Sequence, residues 1–259
     1  MASLTFLGTA CGVPMVGRGQ TAHLLQAHGE YVLVDAGEPC SRVLREIGVP
    51  FNVVSSVLIT HGHSDHIGGL PMFLQACWVE QRTSPLTLFL PGELIDPLRA
   101  WLTAVYLPPD RLGFPLRFEP WRAGQLHEVA GLHVTPQPTT HLDGLRELFA
   151  PGDTTRFHAF SLQIGWAGMR MVISGDLGAP SDLDPHLATP VDLLVCELSH
   201  FSPTKLFAYL RSKTIRRLAL THYSSSERVN AERILREARE LLPRIEEIRD
   251  MGDGDTVEF

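Results

Sequence analysis

His61-Gly-His63-Ser-Asp65-His66 sets three imidazoles and a carboxylate within six residues, directly after the apolar run Val57-Leu-Ile-Thr60. The run reads as a short buried strand. In extended backbone, alternate side chains share a face, so His61, His63 and Asp65 point the same way. His66 follows where the chain turns towards a helix. Two imidazoles can then converge on one ion while Asp65 and His66 serve a neighbouring one. Imidazole and carboxylate donors together suit zinc, with manganese or iron as alternatives. More donors stand where other strands should end: Asp35 after Tyr31-Val-Leu-Val34, Asp176 after the run 169–174, His222 after 218–221, and His141 a little beyond 132–135. In α/β folds, ligands collect at strand ends on one side of the sheets. Five strand ends that deliver His or Asp point to a metal-dependent site.

Such a site needs strands and helices in alternation, and the patterning supplies them. Residues 4–7 read as a strand, and 23–28 with 31–34 as a hairpin around Gly29-Glu30. A helix over 41–47 is stopped by Gly48 and Pro50, and one within 67–81 must start late because of Gly68, Gly69 and Pro71. A strand at 86–90 and a helix over 94–106 follow, then two strands around Gly131 and a hairpin from 160–165 and 169–174. Strands 191–196 and 218–221 alternate with helices 204–210 and 227–242. In the last of these, Ala231, Ile234, Leu235, Ala238, Leu241 and Leu242 form an apolar stripe. Two runs of sheet, each with helices, predict a three- or four-layer α/β sandwich. No repeat or linker divides the 259 residues, so one domain spanning 1–259 is expected.

Composition narrows the function classes. With 22 Lys+Arg against 29 Asp+Glu, the net charge is -7, which argues against a general nucleic-acid coat. No run of ~18 apolar residues exists, so no membrane span is expected. The first sixteen residues lack a basic start and are broken by Gly8, Gly12 and Pro14, reading as strand and turn instead of a signal peptide. Cys11, Cys40, Cys77 and Cys196 contain no C-x-x-C pair and read as free buried thiols of a cytoplasmic protein.

The ordered set His61-x-His63-x-Asp65-His66, His141, Asp176 and His222 resembles the dinuclear ligand set of the metallo-β-lactamase superfamily. The resemblance covers nearly the whole chain. It implies an αββα sandwich of four layers with two divalent metal ions, zinc first among the choices. By that pattern His61, His63 and His141 bind the first ion, Asp65, His66 and His222 the second, and Asp176 bridges both. Asp35 matches a buried aspartate that supports the motif loop without touching metal.

Leu7-Gly-Thr9, Gly12-Val-Pro14 and Arg18 resemble the branch of transfer-RNA 3′-processing ribonuclease Z and the cyclic phosphodiesterases. Cys196-Glu-Leu-Ser-His200 resembles a loop of the PhnP-type phosphodiesterases, where a histidine projects over the metals. The residues also depart from these patterns. Only residues 142–175 separate His141 from Asp176, too few for the long arm that ribonuclease Z uses to grip transfer RNA. The cysteines for the extra zinc site of PhnP-type enzymes are absent. True β-lactamases carry a cysteine where Asp176 stands, and glyoxalase II needs a helical domain beyond the last ligand, where this chain has only 37 residues.

The expected function is therefore a metal-dependent phosphodiesterase acting on a small or cyclic phosphodiester through a metal-bridging hydroxide. A carboxylic-ester, lactone or thioester hydrolase is the alternative, and a ligand-sensing module the third reading. The expected partners are a small phosphate-containing substrate and a second copy of the chain, not long structured RNA or a membrane. Asp65 and His200 are the candidate catalytic residues, with His200 either the general acid or a buried histidine bonding a carbonyl. Glu197 reads as a structural support for an imidazole. Lys205, Arg211, Lys213, Arg216 and Arg217 are either a solvated face or a phosphate-steering patch. Residues 94–118, with Trp101, Tyr106 and Phe114, are core, lid or dimer surface. His23, His28, His127, His133, His158 and His186 lack ligand spacing and are expected to bind no metal.

Overall fold

A computed structural model describes residues 2–259. The strands are β1 (Ser3–Gly8), β2 (Ala22–Ala27), β3 (Glu30–Val34), β4 (Val54–Leu58), β5 (Leu86–Leu90), β6 (Leu116–Pro120), β7 (His127–Val129), β8 (Leu132–Thr139), β9 (Ala159–Trp166), β10 (Met169–Ile173), β11 (Val191–Leu198), β12 (Ile215–Tyr223), β13 (Glu247–Asp250) and β14 (Thr256–Glu258). The helices are α1 (Cys40–Glu46), α2 (Ser64–Ile67), α3 (Leu70–Val79), α4 (Ile95–Ala104), α5 (Asp143–Phe149), α6 (Asp184–Leu187), α7 (Pro203–Leu210), α8 (Ser225–Val229) and α9 (Ala231–Leu241). They divide between two compact units, the first running through Trp121 and taking back Gly252–Phe259, the second spanning Arg122–Met251.

The first unit is built on a seven-stranded sheet of order β14-β1-β2-β3-β4-β5-β6. Its β2–β3 hairpin turns on His28 and Gly29, both at positive φ, the conformation a two-residue hairpin loop requires. From β3 to β6 the strands are parallel, so each connection must cross over, and α1, α3 and α4 make the crossings. Leu33, Val57 and Leu88 pack with Leu44, Phe73, Leu74 and Leu102 in one buried cluster. Burial of this kind contributes roughly 1.5–3 kcal/mol per large apolar side chain.

The second unit has a seven-stranded sheet of order β13-β12-β11-β10-β9-β8-β7, antiparallel from β7 to β10 and parallel from β10 to β13. Tight turns at Ala130-Gly131 and Ala167-Gly168 again carry positive φ. Val172, Leu194 and Leu218 bury against Leu206 and Phe207 of α7 and Ile234 and Ala238 of α9.

Several elements differ from expectation. The helix expected within 67–81 is α3, which starts late at Leu70, and it is preceded by an unexpected short helix, α2, that ends where Gly69 gives its N–H to Ala36 O. The helix expected over 227–242 breaks at Asn230, whose side-chain amide donates to Ser226 O and competes with the backbone ladder. Strand β6 and helices α5 and α6 carried no clear periodicity. Within 94–118, Leu98, Leu102, Leu107, Leu112 and Phe114 belong to the buried core, whereas Tyr106 is 88% exposed.

All four cysteines are buried and free of disulfides. Burial pushes the Cys40 thiol up to about 12 and Cys77 to about 11, so neither ionises near neutrality. Among the described residues no helix is long and apolar enough to cross a membrane.

Candidate metal centre

In the first unit, Val34 of β3 pairs with Leu58 of β4, which brings the ends of both strands side by side. Asp35 leaves β3 at φ 56°, a left-handed conformation that aspartate tolerates better than most residues. Its backbone N–H donates to Leu58 O at 2.8 Å. Its buried carboxylate then organises the motif loop. Oδ1 accepts the Thr60 N–H at 2.8 Å, the Thr60 hydroxyl lies 2.9 Å from Oδ2, and His66 Nδ1 donates to Oδ2 at 2.8 Å. With Nδ1 so engaged, His66 directs Nε2 outward, 3.6 Å from Asp65 Oδ2. The His61 Nδ1 rests on Thr60 Oγ1 at 3.1 Å, which points its Nε2 to within 3.0 Å of His63 Nδ1.

Glycines permit this close packing of loops. A Cβ on Gly37 would stand 2.3 Å from Asp65 O, and one on Gly69 would stand 2.7 Å from Gly37 O. Both clashes are with backbone, so neither can be relieved by a rotamer. In the space left, Ala36 N donates to His66 O at 2.7 Å and Gly69 N to Ala36 O at 2.8 Å.

In the second unit the donors come from separate strand ends. Asp176 follows β10, and its carbonyl accepts the Thr139 hydroxyl from the end of β8 at 2.7 Å. Its Oδ1 lies 3.4 Å from His222 Nε2, and its Oδ2 lies 3.6 Å from His141 Nε2 and 3.8 Å from His200 Nε2. Asp182 clamps the loops that carry His141 and Asp176, accepting from Thr140 N at 3.0 Å and Gly178 N at 2.9 Å. A Cβ at Gly178 would fall 2.2 Å from Thr140 Oγ1.

Glu197, buried at the end of β11, holds the remaining loop. Oε1 accepts Leu177 N at 3.0 Å and pairs with His200 Nδ1 at 2.9 Å, while Oε2 accepts Ser199 N at 2.7 Å. The Ser199 hydroxyl sits 2.8 Å from His222 Nδ1 and 3.2 Å from Glu197 Oε2. The carboxylate therefore supports His200 directly and His222 through one serine. His200 is the more exposed imidazole of the two, at 32% against 3% for the side chains.

These distances test whether the residues suit a metal. Two donors each about 2.1 Å from an ion at a tetrahedral angle stand about 3.4 Å apart. The pairs His61/His63, Asp65/His66, Asp176/His141 and Asp176/His222 lie at 3.0, 3.6, 3.6 and 3.4 Å. The last three exceed a normal N–H···O hydrogen bond and match ligand spacing. The Nδ1 atoms of His66 and His222 are engaged by protein oxygens, as is usual for metal-ligating histidines. The donor set fits divalent metal.

A family model described as Anti-Pycsar protein Apyc1 matches residues 2–238. The chain belongs to the Anti-Pycsar protein Apyc1 family. Over 94% of its length it is 25% identical to a ribonuclease Z of Bradyrhizobium diazoefficiens, of which the match covers 96%. Among solved structures it resembles the metallo-β-lactamase fold protein YhfI of Bacillus subtilis, with TM-score 0.78, 17% identity, and coverage of 99% of this chain and 98% of that one. It also resembles a diphosphatase of the PhnP family, with TM-score 0.71, 17% identity, and coverage of 100% and 98%. The fold is thus the α/β sandwich of the metallo-β-lactamase fold, and the relatives along nearly the whole chain are ribonuclease Z enzymes. With ribonuclease Z relatives along nearly its whole length, the chain is a metal-dependent hydrolase.

Other sequence candidates fall elsewhere. His186 is buried against Ser161 Oγ at 3.0 Å, and His133 pairs with Glu128 on the surface. Lys213 is tied to Asp184 at 2.6 Å and Arg216 to Glu246 at 3.0 Å, so two of the five basic residues are neutralised by neighbours. Sequence reasoning passed over Thr60, Asp182 and Ser199. Only Asp182 carried a signal, three residues after Ala179 with Pro180 between, where helices commonly start.

Proposed function

We propose that the chain is a dinuclear phosphodiesterase for a small or cyclic phosphodiester. The observation that carries this reading is the Asp176 carboxylate, whose two oxygens each face a different histidine at ligand spacing. In this reading His61, His63 and His141 hold one ion, Asp65, His66 and His222 the other, and Asp176 both. Zinc is the first choice for an imidazole and carboxylate set. When bound, the ions supply a water ionised near neutral pH and positive charge against the phosphate oxygens. Asp65, as a ligand, would also be able to accept a hydrogen bond from that water. His200 gives the proton on Nε2 to the departing alkoxide, while Glu197 holds Nδ1 and fixes the ring's direction. The whole chain acts as one catalytic domain.

A small substrate is favoured because residues 142–175 are largely taken up by α5, β9 and β10, and the net charge is -7. The test is His200→Ala on two leaving groups. Turnover of an alkyl phosphodiester should fall roughly 10²–10⁴-fold with metal content unchanged, and that of a nitrophenyl diester far less. Equal loss on both would remove the proton-donor role. If the best thioester or lactone has a kcat/KM ten-fold above that of the best phosphodiester, the substrate class is wrong.

A further inference from the structure

We propose that the first unit carries a second ligand site, a cavity that binds a nucleoside monophosphate and contains none of the metal-binding residues. The cavity has a volume of about 570 Å³ and lies between the loop after β1, the start of α1 and the start of α3. That volume falls in the range of roughly 300–1,000 Å³ typical of small-molecule sites. It is far larger than a bare phosphate needs, since a water occupies about 30 Å³.

Its walls carry the chemistry of an anion receptor. Arg18 and Arg42 both line it, with the single carboxylate of Glu38 opposed to them. Arg18 is fixed in place, its Nη1 donating to Thr9 Oγ1 at 2.5 Å, while the Thr9 hydroxyl donates to Asp253 Oδ1 at 2.7 Å. Arg42 has only a surface pair with Glu46 at 3.2 Å, an interaction worth little and readily exchanged for an anion. Gly69 and Met72 bring the positive end of the ten-residue helix α3 to the same space.

Ser41 adds a hydroxyl to the same wall. It is 7% exposed and lines the cavity, yet its hydroxyl makes no hydrogen bond among the described residues. Gln20 is held by its Nε2–H bond to Cys11 O at 3.2 Å, which fixes the amide at the cavity wall.

The organic part of the ligand follows from the rest of the wall. Met15 and Met72 present polarisable thioethers, which favour the face or edge of an aromatic ring. Pro14 and Pro39 add flat apolar surface. Glu38 offers a carboxylate of the kind that accepts hydrogen bonds from a ribose. A phosphate on the guanidiniums and Ser41, a sugar on Glu38 and a base on the methionines use each group once.

The test is calorimetric titration of adenosine 5′-monophosphate into the full-length chain, metal-loaded and after chelator treatment, with folding checked by circular dichroism. Binding should survive removal of metal, and Ser41→Ala and Arg42→Ala should each weaken it at least ten-fold while leaving phosphodiester turnover unchanged. Adenosine should bind at least ten-fold more weakly than its monophosphate. If chelation unfolds the chain, nucleotide-induced shifts of the Met15 and Met72 methyl resonances in the metal-loaded protein supply the same comparison, and both variants should abolish them. Absence of metal-independent binding at millimolar nucleotide, or binding that both variants leave intact, would overturn the site without touching the metal centre.

Discussion

In the first unit one buried carboxylate, Asp35, organises Thr60 and His66, and every donor there belongs to a single six-residue run. In the second unit, His141, Asp176, His200 and His222 come from four strand ends, and the work is split between Asp182 and Glu197. The first arrangement is local and glycine-dependent, since Gly37 and Gly69 let two loops touch backbone to backbone. The second depends on sheet register, because β8, β10, β11 and β12 must end at matching heights. A local motif tolerates drift elsewhere in its sheet. A distributed one does not.

The largest effect should separate the two arrangements by metal stoichiometry. Asp176→Ala removes the carboxylate that faces His141, His200 and His222 and should lose both ions, with turnover down by about 10⁴-fold. His61→Ala should lose one ion and keep the other. Elemental analysis showing two tightly held ions in the Asp176 variant would break the comparison.

Acid should weaken the second unit next. Burial and the nearby Arg170 charge lower His186 from 6.5 to about 4, against an opposing contribution from its bond to Ser161. A neutral buried imidazole contributes its full stability above pH 6.5, loses it progressively as pH falls, and has lost it below pH 4. The loss amounts to about 3 kcal/mol. Denaturant titrations between pH 7 and 4 should show a shallower acid limb for His186→Gln than for the parent. Parallel curves would assign the acid sensitivity elsewhere.

A smaller effect is expected at Asp35. Asp35→Asn leaves one acceptor oxygen where Thr60 N–H and His66 Nδ1–H now use two, and should weaken metal binding roughly 10–100-fold, as measured by chelator competition. Unchanged affinity would mean that the glycine-packed backbone alone holds the loop.

Ser199→Ala should be milder still, about ten-fold or less, and confined to the ion that His222 binds. Ser199→Thr should restore it, since the hydroxyl is kept. A cobalt-substituted sample reports this as a spectral change at one site only. A change at both would show that Ser199 acts on the whole loop and not through His222 Nδ1.

Much of the candidate metal centre could be proposed from sequence because the first-unit donors are contiguous, and alternation in a strand orders His61, His63 and Asp65 without knowledge of the fold. Asp35 was legible as the last residue of an apolar run. His141 and Asp182 were harder, since the run 132–135 is the start of a longer strand, β8, that Pro136 and Pro138 obscure. Helix α5 and strand β6 were illegible for a related reason: both show apolar side chains to solvent or lie at a sheet edge, so no period marks them.

By itself the sequence determined the donor inventory, the alternation of strands and helices, and the order in which the candidate donors follow one another along the chain. Those properties are local, written in residue type and in spacings of two or three to four. Only the tertiary structure decided which polar group supports which donor. Thr60, Asp182 and Ser199 owe their roles to hydrogen bonds whose partners include loops far along the chain. Directional bonds of 2.7–3.3 Å depend on backbone register and burial, which no spacing in one strand encodes.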